Sequence, residues 1–95
     1  MTKITIRYCT QCNWMLRSSW MAQELLHTFS DDIDELALQP SSGGVFSLSA
    51  SIDDKEHLLW ERTRDGGFPD IKQLKQIVRA VICPQRDFGH IDRQR

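Results

Sequence analysis

Polar and apolar residues alternate from Lys3 to Tyr8: Ile4, Ile6 and Tyr8 fall on one side, Thr5 and Arg7 on the other. A period of two is that of a half-buried strand. From Asn13 the period lengthens. Met15, Ala22, Leu26 and Phe29 recur at helical spacing, with Trp14, Met21 and Leu25 on an adjacent stripe. This predicts an amphipathic helix with Asn13 as its N-cap, ending near Ser30-Asp31. Ile33 to Gln39 reads as a second strand through Ile33, Leu36 and Leu38. Gly44 to Ile52 reads as a third, alternating less strictly. Leu58, Leu59, Trp60 and Thr63 mark a fourth, paired with the third through a turn at Asp53-Asp54-Lys55-Glu56. Asp70, preceded by Pro69, then caps a second helix, with Gln73 completing a capping-box pattern. Ile71, Leu74, Val78 and Val81, with Ile77 and Ile82, form its apolar face, and Pro84 stops it.

The predicted order is β-α-β-β-β-α. A strand–helix–strand start implies a right-handed crossover and a parallel first pair of strands; the later hairpin adds antiparallel ones. The expected fold class is therefore α/β, a four-stranded mixed sheet with two helices in the minimal thioredoxin-like arrangement. Pro40-Ser41-Ser42-Gly43-Gly44 and Asp65-Gly66-Gly67-Phe68-Pro69 are too short to link separate domains, so residues 1–95 read as one domain.

Composition narrows the function. With 40% apolar and 26% charged residues the chain is ordinarily globular, and a net charge of −1 excludes a generally basic nucleic-acid binder. No apolar run approaches the roughly 20 residues of a membrane span. The start, Met1 to Tyr8, is too polar for a secretory signal, so the expected location is cytoplasmic.

Three cysteines, at 9, 12 and 83, are an odd count without a secretion signal and do not read as a disulfide framework. Cys9-Thr10-Gln11-Cys12 falls between the end of an early strand and the start of a long helix. Free amides and the positive end of the helix dipole there favour a thiolate, the nucleophile of disulfide exchange. Local charge agrees: residues 1–23 contain Lys3, Arg7 and Arg17 and no acid, whereas Glu24 to Asp54 hold seven acids and no Lys or Arg. Two other readings stand beside the redox one. The cysteines could be small buried hydrophobes, or half of a zinc site. Zinc would need two more ligands from Cys83, His27, His57 and His90, which are scattered singly rather than paired as a second knuckle. Cys83, beside Pro84, reads as a packing residue.

Tyr8-Cys9-Thr10-Gln11-Cys12-Asn13-Trp14, followed by Arg17 and Trp20-Met21-Ala22-Gln23-Glu24-Leu25-Leu26, resembles the start of bacterial members of the selenoprotein W-like (Rdx) family. Pro40 to Phe46, Gly66 to Asp70 and the run Asp87-Phe88-Gly89-His90 also fit. The resemblance implies a thioredoxin-like fold and a thiol redox role linked to glutathione or to protein thiols. Selenoprotein members carry selenocysteine at the position of Cys12. Thioredoxin logic makes Cys9 the attacking thiol; the selenocysteine analogy makes it Cys12. The cis-proline that thioredoxins place opposite the site would correspond to Gly43-Gly44-Val45, which reads as a turn first and as a close-approach loop second.

The leading expectation is a small thiol–disulfide redox protein with Cys9 and Cys12 as its catalytic residues, no resident cofactor, and glutathione or protein thiols as partners. A redox-dependent interaction module without turnover and a zinc-binding domain are the alternatives. Trp14 and Trp20 read as core cover, with Trp14 also placed to flank the thiols. Lys72, Lys75 and Arg79 read as a solvated stripe, Gly66-Gly67 as a turn, and His90 as a structural hydrogen-bonder.

Overall fold

The computed structural model describes residues 1–85, so the Asp87–His90 run lies outside the described residues. One four-stranded sheet has the order β2-β1-β3-β4. β1 (Thr2–Cys9) pairs parallel with β2 (Glu35–Ser41) and antiparallel with β3 (Phe46–Ile52), which pairs antiparallel with β4 (Lys55–Glu61). Two long helices, α1 (Met15–Thr28) and α3 (Ile71–Ile82), pack on one face, and a single turn, α2 (Arg62–Asp65), follows β4.

The alternation in β1 is what buries it. Ile4, Ile6 and Tyr8 lie opposite Ala50, Leu48 and Phe46 of β3, and all six join one core with Met21, Ala22 and Leu25 of α1, its C-cap Phe29, and Leu74 and Val78 of α3. Thr5, Arg7, Ser49 and Ser51 leave the other face polar and partly or fully exposed. β1 thus has hydrogen-bonded neighbours on both edges and a helix layer above it, and its last residue is Cys9.

The α1 expectation needs correction in two respects. Asn13 is not the N-cap: it adopts φ 60°, Trp14 occupies the cap position, and no side chain caps the helix. Asn is one of the few non-glycine residues that tolerates the left-handed region, which lets the chain reverse from β1 into α1. The buried stripe is Ser18, Met21, Ala22, Leu25 and Phe29, whereas Met15 and Leu26 are exposed. Both stripes have helical spacing, and only the position of the sheet selects between them.

β2 begins later than expected, because the Ile33 amide still bonds to the Phe29 carbonyl in the turn after α1. It runs on through Pro40, which an edge strand accommodates. The β3–β4 turn contracts to Asp53-Asp54, at φ 50° and 69°, and Lys55 and Glu56 belong to β4. Two consecutive positive φ values match the right-handed twist of a hairpin. A bulge opposite Leu48 and Ser49 leaves Leu59 without a partner, so Leu59 and Trp60 are both buried while Leu58 is half exposed. Thr63 is not in β4 but in α2, the third helix that periodicity could not reveal in four residues. Reciprocal bonds hold it: Glu61 accepts from the Arg64 amide, Asp65 accepts from the Glu61 amide, and Gly66 closes it at φ 82°.

Asp70 caps α3 as expected, accepting from the Gln73 amide at 2.7 Å. Lys75 departs from the solvated stripe: it is buried, and its ammonium meets Glu24 of α1 at 3.0 Å. Its position between two packed helices overrides its polarity, and the long alkyl stem shares the core-facing side of α3 with Leu74 and Val78. Trp20 is 47% exposed rather than part of the core cover.

Two stability predictions follow from this layer. Removing Glu24 leaves a buried ammonium without its carboxylate, so Glu24→Ala is expected to cost about 1–2 kcal/mol, whereas Lys75→Met is near neutral. Denaturant unfolding of both variants checks this, and equal losses would show that the ion pair does not link the helices. Ser18 is fully buried on α1 and its hydroxyl has no hydrogen-bond partner among the described residues. Ser18→Ala removes that desolvated group and adds helix propensity, raising stability by about 1 kcal/mol. A lowered unfolding midpoint would show that the hydroxyl is in use.

Candidate functional site

Cys9 arrives at the end of β1 because its strand is pinned on both sides. Thr10 fixes the exit, its amide and hydroxyl both donating to the Ser41 carbonyl at 3.0 and 3.2 Å. Residues 10–13 form a turn, and α1 starts only at Met15. The turn brings the two free thiols to an Sγ–Sγ distance of 2.7 Å, with Cys12 donating to Cys9. Cys9 is 1% exposed, and Cys12 is only partly covered.

Electrostatics separates the two sulfurs. The thiol of Cys12 donates to Cys9 and lowers the Cys9 pKa below the usual thiol value. Burial opposes this, and the backbone amides of Gly44, Gln11 and Cys12 assist it. The Cys12 pKa is raised, first by that shared hydrogen bond, then by burial and by the charge on Cys9; Arg62 and the Gly44 amide pull it down. Once the first proton leaves, the remaining one is shared between the sulfurs, and the two ionisations belong to the pair. The source of support differs from the sequence expectation. With α1 beginning beyond Cys12, loop amides from the turn and from Gly44 face the sulfurs in place of the first amides of the helix.

Gly43 and Gly44 both take left-handed φ values, 76° and 73°, and no peptide bond among the described residues is cis. The segment matched to the thioredoxin cis-proline is thus a glycine turn, and the same turn points an amide at the thiols. It is held from outside by Arg62, whose Nε donates to the Gly44 carbonyl at 3.1 Å. The Arg62 guanidinium lies over the Trp14 ring at 5.3 Å. Trp14 meets Phe68 edge-on at 4.9 Å, and Phe68 packs on Phe46 at 4.6 Å. Phe68 is presented by the Gly66-Gly67 loop, anchored where Trp60 Nε1 donates to the Gly67 carbonyl at 2.8 Å. Trp14 thus packs against the core and joins Arg62 to Phe68.

Sequence reasoning placed Cys9 and Cys12 together, and the structure brings their sulfurs into contact. It missed Arg62, which looked like the tail of a strand, and it read Phe68 only as part of a loop. Cys83 lies apart, buried at the C-cap of α3. His27 and His57 are exposed, and among the described residues no three His, Cys, Asp or Glu side chains cluster to hold a metal. Among the same residues, no helix is long and apolar enough to cross a membrane.

The shared proton yields a signed prediction. Cys12→Ala removes the largest influence favouring the Cys9 thiolate and leaves burial opposing it, so the Cys9 ionisation midpoint moves up. In a Cys83→Ala background, thiolate ultraviolet absorbance against pH should show two steps with the native pair present, and a single step later than the first of these once Cys12 is replaced. A variant midpoint at or below the first native step would mean that the thiol contact does not tune Cys9.

Comparison with known proteins gives the same picture. The model of the Rdx family matches residues 3–80. A selenoprotein W-related protein from Vibrio cholerae is 52% identical, with a TM-score of 0.76 over 83% of this chain and 94% of that one. A solved structure from Bordetella parapertussis is 53% identical, also with a TM-score of 0.76, over 83% of this chain and 95% of its own. No curated protein matches. A family model spanning most of the chain, relatives above half identity and a shared thioredoxin-like sheet agree, and the chain belongs to the Rdx family.

Proposed function

We propose that Cys9 and Cys12 are the dithiol of a thiol–disulfide exchange protein, in which Cys12 forms the bond to the partner and Cys9 resolves it. The observation that carries this reading is a pair of free sulfurs 2.7 Å apart, one buried and one within reach of solvent. Exchange needs an approach along the axis of the breaking S–S bond, and only the partly exposed sulfur offers one.

The chemistry then proceeds in two displacements. The proton crosses from Cys12 to Cys9, and the Cys12 thiolate attacks a partner disulfide. A Cys12–partner S–S bond forms, the partner's own S–S bond breaks, and its second sulfur leaves as a thiolate and takes up a proton. Cys9 loses its proton to solvent and attacks the Cys12 sulfur. The Cys9–Cys12 disulfide closes and the partner is released as a dithiol, two electrons having passed to it. A thiol reductant, for which glutathione is the proposed co-substrate, reverses the sequence by attacking Cys12 and expelling Cys9. A lowered thiol pKa makes Cys9 the better leaving group in that return step. Access supports Cys12 as the attacking thiol, and acidity supports Cys9 as the leaving group.

The roles separate in a trapping experiment. Incubated with glutathione disulfide, Cys9→Ser should accumulate a stable mixed disulfide on Cys12, seen by intact mass, because nothing remains to resolve it. Cys12→Ser, left with the buried thiols of Cys9 and Cys83, should accumulate little. The opposite pattern reverses the assignment, and no adduct in either variant together with no internal disulfide in the native protein ends the dithiol reading.

A further inference from the structure

The single turn α2 carries two arginines, and their surroundings differ. Arg64 is neutralised: its guanidinium meets Asp65 at 2.8 Å and also donates to the Leu59 carbonyl. The Glu61 carboxylate accepts from the Arg64 amide, and Asp65 accepts from the Glu61 amide. Both acids of this segment are therefore engaged without Arg62. Arg62 is half-buried, and among the described residues no carboxylate pairs with it. A partly desolvated guanidinium without a counter-ion keeps its field for an anion that forms beside it.

The backbone fixes where that charge sits. Glu61, opposite Ser47, ends the paired part of β4, so Arg62 departs from a position set by the sheet. Its carbonyl accepts from the amides of Gly66 and Gly67 at 3.0 and 2.9 Å, which closes α2. Its side chain lies against the Gly43-Gly44 turn. Nε donates to the Gly44 carbonyl at 3.1 Å, and a Cβ placed on Gly44 would lie 3.7 Å from Nη2. The guanidinium also covers the ring of Trp14, two residues along the chain from Cys12. The Gly44 amide favours a thiolate on either sulfur, and the Arg62 charge favours one on Cys12. Arg17, the other arginine of this aromatic group, stacks on Phe68 at 4.3 Å.

We propose that Arg62 is a positioning residue of the exchange site: it holds the Gly44 turn against the sulfurs and directs its positive charge at Cys12, the thiol that attacks. The proposal rests on the dithiol reading and adds what makes the attacking arrangement available. In the singly ionised pair the remaining proton lies either on Cys12 or on Cys9. Only the second arrangement offers a partner an accessible nucleophile, and a cation beside Cys12 favours it. Arg62 thus acts through the charge on the Cys12 sulfur.

A single-thiol background, Cys9→Ser with Cys83→Ala, isolates Cys12, and alkylation by uncharged iodoacetamide across pH reads its ionisation midpoint. Adding Arg62→Met should raise the midpoint by about 0.5–1 pH unit. Alkylation at neutral pH should slow roughly two- to threefold, the loss of thiolate being partly offset by its greater nucleophilicity. Arg62→Lys keeps the charge and should recover most of the shift. Arg62→Gln keeps a donor for the Gly44 carbonyl but no charge, and should not. Arg17→Met removes an equal charge and should leave the midpoint in place. With Arg62 present, molar salt should raise the midpoint, because it screens the attraction. That last measurement needs no substitution at Arg62, so it decides the matter even where a variant fails to fold. An unchanged midpoint in Arg62→Met and Arg62→Gln overturns the proposal. So does a shift that Arg62→Lys does not recover, an equal shift in Arg17→Met, or a midpoint that salt does not raise. None of these readings involves a disulfide. The dithiol reading fails separately, by the absence of any adduct or internal disulfide with glutathione disulfide.

Discussion

The site depends on one constraint: β1 is the strand whose hydrogen bonds run to neighbours on both sides before it reaches Cys9. Ile4, Ile6 and Tyr8 hold it under the helices, β2 and β3 fix its register, and Thr10 ties its end to Ser41. The first thiol is therefore as immobile as the core. Only the turn beyond it has freedom to place the second, and Asn13 in the left-handed region lets the chain turn back within reach. The close contact of the sulfurs is a consequence of where a buried strand must stop.

Around that contact a chain of interactions closes on itself. Gly44 offers its amide to the sulfurs and its carbonyl to Arg62. Arg62 lies over Trp14, Trp14 meets Phe68, and Phe68 rests on Phe46, two residues along the chain from Gly44. No member is costly to break alone, since cation–π and aromatic pairs are each worth about 0.5–2 kcal/mol. Together they hold a loop amide where it acts on thiol acidity.

Burial and acidity divide the two cysteines in opposite directions. The more acidic sulfur is the hidden one, and the accessible sulfur holds its proton more tightly. In the proposed exchange this division is useful rather than contradictory, because there the hidden sulfur acts only on its neighbour. It needs a low pKa to attack within the molecule and to leave, and it needs no path to solvent. The two analogies raised by the sequence, thioredoxin and selenocysteine, thereby address different steps: acidity belongs to Cys9 and access to Cys12.

Period and spacing along the chain determined most of the architecture: the alternation in β1, the cap of α3 at Asp70 and the strand–thiol–helix junction are local features, written in adjacent residues. The tertiary structure alone decided the rest. Two stripes of α1 have equal claim to the core until the sheet chooses Ser18 and Leu25 over Met15 and Leu26. Lys75 looks solvated until Glu24 faces it. Arg62 and Phe68 stand far from the cysteines in sequence, and only the folded chain brings them to the thiol site. A sequence specifies which groups can ionise or pack; which sulfur is shielded, and which amide it faces, depends on neighbours that meet only when strands and loops distant along the chain close together.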